Sequence, residues 1–335
     1  MAHTYYPIHL YKNQRRIYLK NDTVAPSTKL PEATDPMDPE SYSKYTLNEY
    51  SPDLMFTEMI NFIDSNKDDP FFLYWATPIP HVALQAPPLW IDHYVKKFGD
   101  EKPYVGDNGY FPHRYPHAAY AAMISYLDDQ VGKLIQHLKD INIYNNTLII
   151  FSSDNGPTYN GGTDSPWFDS GGPFRSEQGF AKGSLFEGGI RVPMIAFWPG
   201  VIKPGSVSDH ISAFWDVMPT LCEVAGIEIH DETDGISFLP ELKGKKQMKH
   251  DYLYWEYPAS GGQQAVISGN MKALRRNIQK GNTEFELFNL DEDPGEVVNV
   301  ASKYPEVVKK VNEIVISEHQ KSDNPLFQIK LLDSE

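Results

Sequence analysis

Leu148-Ile149-Ile150-Phe151-Ser152-Ser153-Asp154-Asn155-Gly156-Pro157 is the stretch on which the reading of the fold turns. A short unbroken apolar run rich in β-branched residues predicts a strand buried on both faces, as in a parallel sheet. Asp-Asn-Gly-Pro then stops the strand and leaves two oxygen-bearing side chains at its tip. In open α/β sheets catalytic groups collect at the carboxyl ends of strands. Asp154 and Asn155 offer hard oxygen donors that suit Ca²⁺ or Mg²⁺ better than Zn²⁺. Asp-Asn-Gly is equally a common turn, so this stretch alone leaves both readings open.

The segment Ala181-Lys182-Gly183-Ser184-Leu185-Phe186-Glu187-Gly188-Gly189-Ile190-Arg191-Val192-Pro193 follows, ahead of another apolar strand from Met194 to Trp198. Strand-Ser-Asp-Asn-Gly followed by Lys-Gly-x-x-x-Glu-Gly-Gly-Ile-Arg-Val-Pro resembles the C-terminal signature of the type I sulfatases, in the alkaline-phosphatase-like superfamily. The resemblance implies an α/β fold. Its mostly parallel sheet would be flanked by helices, with a small C-terminal antiparallel sheet plus helix as a subdomain. Residues 1–245 would be the α/β domain, incomplete at its N-terminus, and residues 246–335 the subdomain.

Composition sets outer limits. The 335 residues are 41% hydrophobic and 13% aromatic, which suits a globular enzyme and excludes a disordered chain. A net charge of −15 argues against a general nucleic-acid binder, because phosphate-tracking proteins need a basic face. The single cysteine forms no intrachain disulfide, and no segment is apolar enough to span a membrane. Met1 to Pro7 lacks the basic start and apolar core of a signal peptide.

Along the chain, residues 3–13 resemble the middle of certain sulfatases, so the chain is expected to begin partway through the family's domain. Residues 21–52 read as a long surface excursion. Leu54, Met55, Met59, Phe62 and Ile63 recur at helical spacing up to Asn66. Phe71 to Ala76 predicts a second all-apolar strand, with His81 just beyond its end, and residues 86–116 read as irregular. Leu127, Val131, Leu134, Ile135 and Leu138 give a helix over 118–139, on which Asp128 and Asp129 are solvated. Asp216 is expected to N-cap a helix that Gly226 stops. Period-two segments at 251–257, 264–268, 271–275 and 285–290 predict antiparallel strands. A final helix presents Val307, Val308, Val311, Ile314 and Val315.

By resemblance, Asp154 and Asn155 are two ligands of a divalent cation, Ca²⁺. Lys182 maps onto the family's sulfate-contacting lysine, and His81 onto the histidine that contacts sulfate or protonates the leaving alkoxide. Outside the motif, Lys182 would read as a solvated charge and His81 as a structural residue of a proline-rich loop. Glu187 and Arg191, at spacing four, are read as a pair, and the paired glycines as supplying close backbone approach and positive φ. Trp167, Phe168 and Arg175 lie in the loop between the two motifs. Trp167 and Arg175 are candidate substrate contacts for a sugar ring and an anionic group, and packing the loop onto the body explains the aromatics equally well.

The chain departs from the family at its nucleophile. No Cys-or-Ser-x-Pro-or-Ala-x-Arg motif, the source of formylglycine, is present; Cys222 reads as a packed thiol, and Ala25 to Lys29 only echoes the motif. The early Asp-Asp metal pair is also absent. The fragment is therefore expected to be inactive, to bind Ca²⁺ weakly, and to need the missing N-terminal segment of the same fold as its partner. The complete protein would hydrolyse sulfate esters on sulfated saccharides in a periplasmic or extracellular location. A phosphodiester or phosphonate monoester hydrolase of the same superfamily, or a non-catalytic sulfated-glycan-binding protein, are the alternatives.

Overall fold

The computed structural model describes residues 4–25, 28–229 and 233–333. Met1 to His3, and Pro26 and Ser27 of the rejected motif echo, lie outside them. Two compact units emerge: residues 1–144 with 158–164, and residues 145–157 with 165–335. The change of texture near residue 245 falls inside the second unit.

The first unit opens on a hairpin, β1 (His9–Lys12) and β2 (Arg15–Tyr18), which no sequence signal had marked. Three helices follow: α1 (Ser51–Asn66), α2 (Pro88–Phe98) and α3 (Pro116–Asp140). The periodicities at 54–66 and 118–139 are helical as read, and Asp129 pairs with Lys133 at 2.7 Å one turn on. Tyr115, the N-cap of α3, makes no capping bond through its side chain. Glu101 substitutes for it, accepting the His117 and Ala118 amides at 2.9 and 3.1 Å.

Two expectations fail here. Helix α2 lies within the stretch read as irregular; its prolines disguise it, and none of its residues is fully buried. Phe71 to Ala76 is extended but joins no sheet among the described residues. A strand needs a ladder, and this one keeps only the alternation of its side chains, with Phe72 and Tyr74 turned out at 68% and 79% exposure.

The second unit begins with β3 (Ile149–Ser152) and continues through two single turns, α4 (Ser165–Phe168) and α5 (Glu187–Ile190). Strand β4 (Met194–Phe197) follows, then α6 (Val217–Ala225) and α7 (Leu239–Leu242). Where the sequence suggested parallel neighbours and burial on both faces, β3 pairs antiparallel with β4, Ile149 opposite Phe197. Phe151 and Ile195, opposite each other on one face, stay 40% and 62% exposed and Met194 on the other face 43%, so among the described residues neither face is fully covered.

The rest is a four-stranded antiparallel meander, β5 (Leu253–Tyr257), β6 (Gln263–Ser268), β7 (Met271–Arg276) and β8 (Glu286–Asn289), followed by α8 (Pro305–Glu318). The period-two reading holds within a residue or two. Period two sends alternate residues to opposite faces. Val266, Ala273 and Leu287 meet Val311, Ile314 and Val315 of α8 on one face. Ala265, Leu274 and Phe288 meet Leu185 and Phe186 on the other, so the sheet carries the Lys182 loop on its back.

Gly226 ends α6 in the left-handed conformation, as expected, but Asp216 does not cap it. Its fully buried carboxylate instead accepts the Ala213 and Ile236 amides, both at 2.8 Å, and sits 2.8 Å from His250 Nε2. Asp216→Ala should therefore cost about 2–3 kcal/mol by leaving buried donors unpaired. Urea denaturation checks this; a loss below about 1 kcal/mol, the size of an ordinary cap, refutes it.

Candidate active site

The end of β3 and the Lys182 loop are joined through their backbones. The Gly156 amide donates to Gly189 O at 2.9 Å, and the Lys182 amide to Pro157 O at 3.0 Å. This approach needs glycine on both sides. A Cβ on Gly156 would lie 1.8 Å from Gly188 O, one on Gly188 1.7 Å from Arg175 O, and one on Gly189 2.2 Å from Ser184 O. The expected close approach is present; the expected positive φ is not, since neither Gly188 nor Gly189 adopts it. Gly183, next to Lys182, does, at φ +85°.

At the strand tip Asp154 is exposed and forms no salt bridge among the described residues. Ser153 Oγ donates to Asn155 O at 2.9 Å, and Asn155 Nδ2 to Gly156 O at 2.9 Å. With its amide nitrogen committed to the backbone, Asn155 has Oδ1 left as a hard acceptor. Two adjacent oxygen donors fit a Ca²⁺ site in kind but not in number, because Ca²⁺ takes six to eight oxygens. Among the described residues no three His, Cys, Asp or Glu side chains converge on a metal position. Lys182 is half-buried, with no carboxylate held to its ammonium among the described residues. The second unit thus brings an unneutralised carboxylate, a carbonyl donor and an unneutralised cation to two loops that are hydrogen-bonded together.

Beneath this surface lies a cluster the sequence did not reveal. Lys272 Nζ, fully buried on β7, contacts Glu187 Oε1 at 2.8 Å and Glu296 Oε1 at 2.9 Å. Glu296 Oε2 accepts the Glu187 amide at 2.6 Å. Burial pushes the Glu296 carboxyl above its ordinary value, with the Lys272 charge opposing. The expected Glu187–Arg191 pair is also present, at 3.4 Å.

Of the candidate substrate contacts, Trp167 is 52% exposed and packs edge-on against Phe168 at 4.6 Å. Arg175 lies over the Phe180 ring, 3.1 Å from its centroid, pairs with Glu177 at 3.1 Å and donates to Glu296 O at 3.4 Å, so its guanidinium is already engaged. His81 belongs to the first unit. Its carbonyl accepts from the buried Tyr5 hydroxyl at 2.6 Å, and its ring meets Tyr110 edge-on at 5.8 Å. Nδ1 faces the Val82 carbonyl, which only accepts, so Nδ1 carries a proton.

Comparison with known proteins bears on the whole chain. A family model described as Sulfatase matches residues 3–227, and one described as N-sulphoglucosamine sulphohydrolase, C-terminal, matches residues 176–321. A sulfatase of Formosa agariphila is 32% identical over 263 residues, covering 72% of this chain and 44% of its own length. The N-acetylgalactosamine-6-sulfatase of Mus musculus is 26% identical over 318 residues, covering 84% of this chain and 56% of its own. The solved structure of Ps i-CgsB in complex with k-i-k-neocarrahexaose is similar with a TM-score of 0.64 at 29% identity, over 81% of this chain and 55% of that one. The chain thus spans about half the length of these relatives. The alkaline-phosphatase-like fold expected from the sequence is the fold of these neighbours.

Proposed function

Because this chain belongs to the sulfatase family, we propose that it forms the metal-and-lysine half of a sulfate-ester hydrolase acting on sulfated saccharides. One observation carries the reading. The Asp154–Asn155 turn and Lys182 are hydrogen-bonded neighbours that leave a carboxylate, a carbonyl oxygen and an ammonium without internal partners among the described residues.

Sulfate-ester cleavage builds negative charge on the sulfuryl and leaving oxygens, and charge fixed beforehand in a cleft is the largest available stabilisation. In this reading Lys182 contacts a sulfate oxygen. Asp154 and Asn155 hold a divalent cation, Ca²⁺ by ligand type, that would act as Lewis acid and template. Within the first unit, His81 is the candidate for protonating a leaving alkoxide, a role that requires its imidazolium form. Trp167 offers a stacking face for a sugar ring, and Arg175 joins it as a polar contact if substrate draws it from Glu177. The remaining metal oxygens and the formylglycine nucleophile lie, in this reading, on a preceding segment that also packs against the exposed apolar residues of β3 and β4. Residues 246–335 form the C-terminal subdomain, and the location is periplasmic or extracellular.

The test uses the intact protein encoded with its upstream sequence. Lys182→Ala should lower kcat/KM for a 6-sulfated amino sugar or sulfated galactose by about 10²–10³-fold, the worth of one preorganised donor. Unchanged turnover removes Lys182 from the site. Faster hydrolysis of a matched phosphate ester moves the protein to the phosphoester branch of the superfamily.

A further inference from the structure

Lys182 is held less by its own loop than by a sheet eighty residues further along the chain. On β6, the Gln263 side chain is 3% exposed and grips the backbone immediately after the lysine. Its Oε1 accepts the Leu185 amide at 3.1 Å, and its Nε2 donates to Gly183 O at 3.1 Å. On the same sheet face, on β7 opposite Ile267, Lys272 anchors Glu187, the first residue of α5, whose glycines carry the Asp154–Asn155 turn. Leu185 and Phe186, between the two grips, are buried against Ala265, Leu274 and Phe288 of the same sheet face. One sheet face therefore holds the Gly183 carbonyl, the Leu185 amide, the Leu185 and Phe186 side chains and the Glu187 carboxylate. The family match to residues 176–321 spans this loop and the sheet as one stretch.

We propose that Gln263 and Lys272 are positioning residues for Lys182, so that the C-terminal sheet is part of the active-site apparatus. Neither side chain faces the reacting group. Gln263 fixes the backbone just after Lys182, where Gly183 adopts φ +85° and would otherwise move freely. Lys272 fixes the far end of the loop through Glu187. Ammonium placement within about 0.5 Å is what a preorganised charge requires, and two buried side-chain grips on five residues supply it. The proposal rests on Lys182 being the sulfate contact.

Two measurements separate the coupling from that reading. The first uses hydrogen exchange on the 335-residue chain carrying Gln263→Leu, which keeps the volume and removes both bonds. Peptides spanning residues 154–158 and 181–190 should exchange at least tenfold faster, with β7–β8 peptides unchanged. Uniform acceleration, or none, overturns the coupling. Lys272→Met should give the same local pattern, and Gln263→Leu alone decides if that variant does not fold. The second is a double-mutant cycle in the intact enzyme. Gln263→Leu should lower kcat at least tenfold, yet cost nothing further in the Lys182→Ala background, since its effect passes through that lysine. Additive losses overturn the positioning role. Local loosening without any change in kcat would instead discard Lys182 as the sulfate contact.

Discussion

Gly188→Ala is expected to destabilise the second unit by about 3–5 kcal/mol, at the top of the range for single substitutions. The added Cβ would sit 1.7 Å from Arg175 O and 2.8 Å from Phe180 O, both main-chain atoms that cannot rotate aside. Ordinary overpacking costs about 1–3 kcal/mol because side chains yield, and here none is in the way. The conformation itself is not at fault, since Gly188 has an ordinary helical backbone rather than a positive φ. Gly132 provides the opposite case. It lies in α3 with nothing within 4 Å of an added Cβ, so Gly132→Ala should stabilise by roughly 0.5–1 kcal/mol through helix propensity. Urea titrations of the two variants should move in opposite directions. A Gly188→Ala loss under about 1 kcal/mol means that α5 does not approach the Arg175 and Phe180 carbonyls as closely as these contacts require.

What the sequence reveals of this site follows from what local pattern can encode. Paired glycines beside a lysine mark a place where backbones meet, and they do meet, at the turn that ends β3. Helical spacing of apolar residues found α1, α3 and α8, start and stop signals found α6, and period two found β5 to β8. It failed where structure depends on remote neighbours. Phe71 to Ala76 has the composition of a strand but no ladder partner among the described residues. Asp216 stands where an N-cap belongs, yet its carboxylate is claimed by Ala213, Ile236 and His250, the last 34 residues away. Lys272 is the clearest instance. A lysine in an alternating strand reads as a solvent-facing residue, whereas here it points inward to Glu187 and Glu296, and nothing local announces two carboxylates so distant in sequence.

Lys272→Met should cost about 3–5 kcal/mol at neutral pH, the scale on which breaking a buried ion pair leaves uncompensated charge. Two carboxylates, each 3% exposed in its side chain, would then share a site with only the half-exposed Arg191 at 3.4 Å to offset them. The loss should depend on pH, and its sign follows from Glu296. Burial already raises its folded-state pKa, and Lys272 is the chief influence holding it down, so removing the lysine raises it further. A group whose folded pKa exceeds its unfolded value binds more protons when folded, so its contribution is complete below the unfolded value and is lost as pH rises through the folded one. The variant should therefore be weakest near neutrality and regain stability as pH falls toward the ordinary carboxylate range. Glu296→Gln placed on Lys272→Met removes the titrating group, and should both recover part of the loss and flatten its pH dependence. Urea midpoints of the single and double variants at about pH 7 and pH 5 measure both effects. A loss equal at the two pH values would mean that the cluster holds its loop by packing, with charge contributing nothing of its own.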